Sequence, residues 1–84
     1  MRLRCVENRD SSNNPLDLII GKYYEIERTI SMVGSLLIKE EYLRNDGMYQ
    51  FYLMNERGYK VWYSNSKFDV MEYFRNITIN EILE

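Results

Sequence analysis

The stretch that decides the fold runs from residue 48 to residue 63. It begins with Met-Tyr-Gln-Phe-Tyr-Leu-Met at 48–54, turns through Asn-Glu-Arg-Gly at 55–58, and continues with Tyr-Lys-Val-Trp-Tyr at 59–63. Two runs rich in aromatic and apolar residues, on either side of a short turn that ends in glycine, predict an antiparallel β-hairpin.

Side-chain alternation predicts further short strands upstream of the hairpin. The N-terminal Arg-Leu-Arg-Cys predicts an edge strand with Leu3 and Cys5 on one face. Residues 23–32 alternate too, which predicts a strand whose Ile26 and Ile30 face the core while the neighbouring carboxylates face water. The tyrosine and β-branched residues of this second segment fit a pleated, half-buried surface.

Three other segments complete the pattern. Residues 36–43 fit either a strand or a helix, and their Leu-Leu-Ile start favours a strand. Ser-Asn-Ser at 64–66 predicts a single helical turn that leads into Phe68. Residues 68–74 then predict a last strand or an extended tail, and Asn80 predicts the cap of one short terminal helical turn.

These segments give five or six short strands joined by tight turns. Such a chain suits an all-β fold, either a small antiparallel barrel or a strongly bent sheet, because closure hides the strand edges. At 84 residues there is room for a single domain, 1–84. The polar loop 8–15 and the tail 75–84 are expected to lie at its periphery.

The composition excludes most catalytic chemistry. The chain has no histidine, which removes Ser-His-Asp and Cys-His arrangements and the commonest zinc ligand. Its single cysteine, Cys5, excludes an internal disulfide and is expected to be a buried apolar residue. The four glycines are scattered and form no phosphate loop. We therefore predict that the protein is not an enzyme and uses no catalytic residues, no metal and no cofactor.

The charge balance argues against binding to duplex nucleic acid. The chain has 11 basic and 13 acidic residues and a net charge of -2, whereas phosphate binding favours a basic excess. No apolar run is long enough to span a membrane, and the N-terminus lacks the apolar core of a secretion signal. The sequence therefore predicts a cytoplasmic protein with no membrane partner, and nucleic acid is not its expected ligand.

Aromatic residues are concentrated on the hairpin. Trp, Tyr and Arg dominate protein-binding hot spots, because they combine large contact areas with polar groups. We predict partner-binding roles for Tyr49, Arg57, Tyr59 and Trp62. Alternation along the second strand puts Trp62 on the face opposite Tyr63. The same aromatics would also suffice to fill a small core, and an exposed set could stack on the bases of a single strand.

Short motifs in the chain resemble those of a group of small proteins encoded by phages and prophages of Gram-positive bacteria. The resemblance covers about residues 3 to 70, and the group is similar to SH3-like small barrels. The motifs are Cys5, Leu-Ile-Ile-Gly-Lys-Tyr-Tyr-Glu-Ile at 18–26, Phe-Tyr-Leu-Met-Asn-Glu-Arg-Gly at 51–58, Val-Trp-Tyr at 61–63, and Phe68. The resemblance implies an SH3-like barrel and brings no catalytic residues with it.

The function that the resemblance implies is a non-enzymatic binding module. It would occupy the surface of a bacterial host or defence protein, in the cytoplasm of the infected cell, and inhibit or redirect that protein. The net negative charge suits a partner with a basic surface. A homodimer through strand addition is compatible with an open edge.

Two alternatives belong to other functional classes. One is a single-stranded nucleic-acid binder that uses the aromatic hairpin, and the other is an oligomeric sponge for a small nucleotide signal. Both would be favoured if Arg2, Arg4 and Arg9 lay next to Trp62.

Overall fold

The fold is mostly strand, with two antiparallel sheets and one C-terminal helix. A computed structural model describes residues 1–44 and 46–83, with side chains up to residue 77. The elements are β1 (Arg2–Arg4), β2 (Tyr23–Glu25), β3 (Arg28–Ser31), β4 (Tyr49–Met54), β5 (Lys60–Ser64) and α1 (Val70–Leu83). β1 pairs with β2, and the second sheet has the order β3-β4-β5. Within the described residues these sheets form no closed barrel. The prediction is therefore confirmed only at the coarser level of a small, strand-rich architecture.

The predicted hairpin is present as β4 and β5. Phe51 pairs with Tyr63 and Tyr52 pairs with Trp62 across the two strands. The buried Asn55 side chain closes the turn, because its Oδ1 accepts the backbone N–H groups of two turn residues, each at 3.0 Å. As alternation predicts, Tyr63 is buried and Trp62 lies on the opposite face.

The core lies between the two sheets. Phe51, Leu3, Leu53 and Cys5 are its most deeply buried side chains, which confirms the predicted inward face of β1 and the buried cysteine. The Phe51 ring meets the Phe68 ring edge to face at 6.0 Å between centroids. An isolated bridge between Cys5 and Phe68 joins β1 to the segment that follows β5.

The predicted strand at 23–32 divides into β2 and β3, and its two ends do not share a face. Ile26 is buried, but Ile30 pairs with Gln50 on the side of the sheet opposite Phe51. The break at residues 26–27 shifts the alternation by one residue, so that Thr29 becomes the buried member of β3. The prediction that Ile30 faces the core is therefore wrong.

The strand favoured at 36–43 is also wrong for most of its length. Leu37 forms one isolated bridge with Ile30, and a 3-10 turn follows at Glu40–Tyr42. Leu43, after this turn, is buried in the core. Successive charged residues in the middle of the segment leave no continuous apolar face that a strand could bury.

The C-terminal segment is a helix and neither a strand nor a tail. The single helical turn predicted at residues 64–66 is confirmed as a 3-10 turn at Asn65–Lys67, but α1 then runs from Val70 to Leu83. Asp69 begins the helix, since its Oδ1 accepts the Glu72 N–H at 2.9 Å. The Asp-x-x-Glu spacing was an available sign of a helix start. Asn80 lies inside the helix and is not its cap.

Candidate binding surface

The side of the β3-β4-β5 sheet that points away from the core is the candidate binding surface, called here the outer face. Register defines it: Arg28, Tyr52 and Trp62 form one row across the three strands. Bridging residues in an antiparallel ladder share a face, and the ladder continues beyond the strand ends through the bond from Met32 N to Met48 O (3.1 Å). The outer face comprises Arg28, Ile30, Met32, Leu37, Met48, Gln50, Tyr52, Met54, Lys60, Trp62 and Ser64.

The outer face is more apolar than a solvated sheet surface should be. Antiparallel sheets with one side in water normally alternate apolar-in and polar-out. Here Leu37 is 73% exposed and Met48 is 63% exposed, and Met32 and Met54 are also exposed. Three of the five methionines of the chain lie on this surface. Methionine is flexible and polarisable, so such a surface can adapt its shape to a partner.

An aromatic pair occupies the centre of the outer face. The Tyr52 and Trp62 rings are 4.9 Å apart between centroids and tilted by 40°, and both side chains are half-buried. Because both rings are held against the sheet, little side-chain freedom remains to be lost when a partner covers them.

Two cations flank the aromatic pair. Lys60 pairs with Glu27, with 2.9 Å between Nζ and Oε1, and this hydrogen bond and the carboxylate charge raise the pKa of Lys60. Arg28 forms no ion pair with any residue in the described part of the chain. The outer face therefore has a local positive charge, although the whole chain has a net charge of -2.

The four predicted contact residues occupy three different environments. Trp62 lies on the outer face. Tyr59 is exposed at the hairpin tip, where the Arg57 guanidinium lies 5.9 Å from its ring centroid. Tyr49 is buried in the core and its hydroxyl accepts the Arg44 N–H at 2.8 Å, so it offers a partner almost no surface.

Most of the outer face could not be predicted from the sequence. Met32 and Leu37 flank an irregular turn, and nothing in their local pattern shows that the turn folds beside β3. Tyr52 could have been found, because it alternates with the buried Phe51 and lies opposite Trp62 in any hairpin register centred on the turn.

Two of the basic residues near the N-terminus, Arg4 and Arg9, bond to groups that are not on the outer face. Arg4 binds Asp69 at 2.9 Å and Glu72 at 2.8 Å, and the Tyr23 hydroxyl also donates to Glu72. These bonds tie β1 and β2 to α1, and those from Tyr23 and Arg4 lower the pKa of Glu72. Arg9 donates to the Asn13 carbonyl within its own loop.

A second polar cluster fastens the loop before β2 to the hairpin. Glu56 accepts hydrogen bonds from Lys22 and from the Tyr24 hydroxyl, and these bonds lower its pKa. Burial, followed by the bond to Glu56, raises the pKa of Tyr24 to about 12. In this network the Lys22, Tyr24 and Glu56 side chains bond to one another, which holds the loop against the hairpin.

A metal centre and a membrane-spanning helix are both absent from the described residues. The described residues contain no group of three or more His, Cys, Asp or Glu side chains placed to hold a metal ion. No helix in the described ranges is both long and apolar enough to cross a bilayer. Comparison of the chain with protein families, with curated proteins and with solved structures gave no match.

Proposed function

We propose that this protein is a non-enzymatic binding module that attaches to another protein through its outer face. The observation that carries the proposal is the set of exposed apolar side chains, Leu37, Met48, Met32 and Met54, on the side of the sheet that points away from the core. Contiguous apolar patches of this kind on small proteins are typical of interaction sites.

The arrangement of the outer face resembles the anatomy of a protein interface. Tyr52 and Trp62 supply a rigid aromatic centre, and Trp and Tyr are the residues that contribute most to binding at such centres. Met32, Met48 and Leu37 extend the apolar area to one side. Arg28, which forms no ion pair within the described residues, adds a cation that would attract a carboxylate of the partner. The local charge thus favours an acidic patch on the partner, in contrast to the basic surface expected from net charge.

The identity of the partner follows the motif resemblance. We place it among bacterial host or defence proteins that the module inhibits or redirects in the cytoplasm of an infected cell. The same resemblance supports an SH3-like arrangement of the strands. These parts of the proposal rest on the motifs in the sequence, whereas the location of the binding surface rests on the structure.

A matched pair of variants tests the role of the outer face. Met48→Lys introduces a charge on the outer face, whereas Met71→Lys makes the same change on α1, where the methionine is 50% exposed. Tagged wild-type and variant proteins are used to capture partners from nuclease-treated bacterial lysate. Any captured protein is then identified, purified and titrated by calorimetry against all three forms.

We expect the wild type and Met71→Lys to bind the purified partner with the same affinity, and Met48→Lys to bind at least about tenfold more weakly. Equal binding by all three forms would show that the partner uses another surface. Loss of binding in both variants would also contradict the proposal, because it would reflect general charge instead of the outer face.

Single-stranded nucleic acid is a second candidate ligand, favoured by the presence of Arg28 and Lys60 beside the Tyr52–Trp62 pair. Bases stack on aromatic side chains and phosphates pair with cations in such binders. Trp62 is the only tryptophan, so all tryptophan emission comes from this residue and stacking on it would be seen as quenching. A titration with an oligothymidylate should show quenching that weakens steeply with added salt if this function is correct. Unchanged emission at low salt would exclude it.

A further inference from the structure

The β3-β4-β5 sheet has one covered edge and one open edge. The edge of the sheet at β3 is covered by the turn that follows this strand. The Ile38 N–H donates to the Thr29 carbonyl and the Ser31 N–H donates to the Leu36 carbonyl, both at 2.9 Å. β5, at the other end of the sheet, pairs only with β4 among the described strands. An edge strand with free backbone groups is a template for another strand.

The alternation of hydrogen-bonded and non-hydrogen-bonded pairs in the β4–β5 hairpin identifies which backbone groups of β5 are free. The Asn55 N–H donates to the Tyr59 carbonyl at 2.8 Å, and bonded pairs recur at every second residue of an antiparallel ladder. The backbone groups of Lys60, Trp62 and Ser64 therefore point away from β4. The Ser64 carbonyl belongs to the 3-10 turn that begins there, which leaves the N–H and C=O of Lys60 and Trp62 and the N–H of Ser64. In the described chain no loop or turn donates to or accepts from these five groups.

We propose that a second copy of the chain adds to this edge, with the two β5 strands antiparallel about a dyad at Trp62. This inference is independent of the proposed protein-binding function. In this register the free groups of Trp62 meet those of Trp62 in the second copy. The Ser64 N–H meets the Lys60 carbonyl of the second copy, and the reverse bond forms by symmetry.

Self-pairing suits this strand because it brings no like charges together along Lys60–Ser64. Lys60 lies opposite Ser64 of the second copy, and its ammonium is already paired with Glu27. The side chain of Trp62 lies beside its own symmetry mate, and cross-strand aromatic pairs are favourable. The dimer would carry a six-stranded sheet, and its central aromatic row would contain Tyr52 and Trp62 from each copy. Two small outer faces would thereby become one continuous binding surface.

The test uses a substitution that blocks the open edge without disturbing the hairpin. Ser64 has φ -63° and ψ 145°, which proline adopts without strain. Ser64→Pro removes the free N–H and puts a ring at the edge, while the bonds between β5 and β4 are unaffected. Ser64→Ala is the matched control, because both variants lose the hydroxyl that accepts the Ser66 N–H. Circular dichroism establishes that both variants are folded.

Sedimentation velocity over a range of concentrations measures the association. We expect the wild type and Ser64→Ala to form dimers, and we expect the dimer dissociation constant of Ser64→Pro to rise by more than about tenfold. A wild type that stays monomeric, or a dimer that Ser64→Pro leaves intact, would overturn the inference. A monomer that still binds a partner through the outer face would overturn it and leave the proposed function standing.

Amide hydrogen exchange of the wild type provides a test that does not depend on any variant. Strand addition protects the Trp62 N–H, which is otherwise free at the edge, and the protection should increase with protein concentration. A dimer whose Trp62 N–H exchanges as fast as that of an open edge would mean that the copies meet elsewhere. Heterologous strand addition would give protection only when a different protein is present, and that result would also contradict self-pairing.

Discussion

The two faces of the β3-β4-β5 sheet are built from the same three strands, but they differ in how deeply their aromatic residues are buried. On the inner face Phe51 is fully buried, and the buried Tyr63 has a hydroxyl that donates to the Leu16 carbonyl at 2.6 Å. On the outer face Tyr52 and Trp62 pack against each other and remain half-exposed. The difference shows that aromatic content alone does not mark a binding surface, because β4 and β5 each have aromatic residues on both the core face and the outer face.

The largest difference between the faces should appear when one aromatic ring is removed from each. Phe51→Ala deletes a fully buried ring that contacts Tyr49 and Phe68, so we expect a loss of about 3–5 kcal/mol in the free energy of unfolding. Tyr52→Ala removes a half-exposed ring and should cost about 1 kcal/mol. Urea denaturation of both variants measures the contrast. Similar losses for the two variants would show that both faces are structural.

The hairpin turn joins β4 to β5, and the stability of this turn depends on one buried polar side chain. Asn55 accepts two backbone N–H groups through Oδ1 and donates to the Tyr63 hydroxyl through Nδ2. Asn55→Ala leaves these groups without their partner, and we expect a loss of about 2–3 kcal/mol by thermal or chemical denaturation. Arg57→Ala, at an exposed position of the same turn, is the control and should change stability by less than about 0.5 kcal/mol. An equal loss in the control would point to the turn backbone instead.

The stability that Glu72 of α1 contributes through its bonds to Tyr23 and Arg4 should depend on pH. Glu72 has a lowered pKa in the folded protein because the Tyr23 hydroxyl and Arg4 donate to its carboxylate. Its contribution to stability is therefore complete above the ordinary value of 4.5 and is lost as the pH falls through the lower folded pKa. Glu72→Gln should be less stable than the wild type at pH 7, and the two should converge in strong acid. A constant difference at all pH values would contradict this linkage. Some acid sensitivity should remain in the variant, because the pKa of Glu56 is lowered as well.

The smallest change in stability is expected on the outer face itself. Met48→Lys replaces a side chain that is 63% exposed, so thermal denaturation should show a change within about 0.5 kcal/mol. The same variant should lose partner binding, as described above. A large loss of stability would mean that Met48 supports the fold, and the weak binding of the variant could then no longer be attributed to the outer face.

Local pattern predicted the parts of the fold in which neighbours in sequence are also neighbours in space. The β4–β5 hairpin, the buried Cys5 and the helical turn before Phe68 are of this kind. The predictions were wrong where contacts between residues far apart in sequence determine the local structure. The β2–β3 break reverses the face of Ile30, and it occurs beside the bond from Glu27 N to Tyr52 O, a residue far along the chain.

The C-terminal helix shows a different kind of error. Its start was encoded by Asp69 and Glu72, but residues 68–74 were expected to form a last strand or an extended tail. Packing of this segment against the rest of the protein favours the helix, since Val70 enters the core and Tyr73 and Phe74 pack against it. Helix stability in proteins comes mainly from such packing and less from local propensity.

Of the candidate site, the sequence predicted Trp62 on the face opposite Tyr63 and gave no sign of the larger surface around it. By itself, the sequence determined a small strand-rich chain without histidine chemistry, built around one aromatic hairpin, because composition and alternation are properties of the chain. Only the tertiary structure decided which aromatics are buried, that Met32, Leu37 and Met48 join Trp62 on one face, and that β5 is an open edge. The physical reason is that a face and an edge are defined by strand pairing, and pairing depends on contacts between residues far apart in sequence.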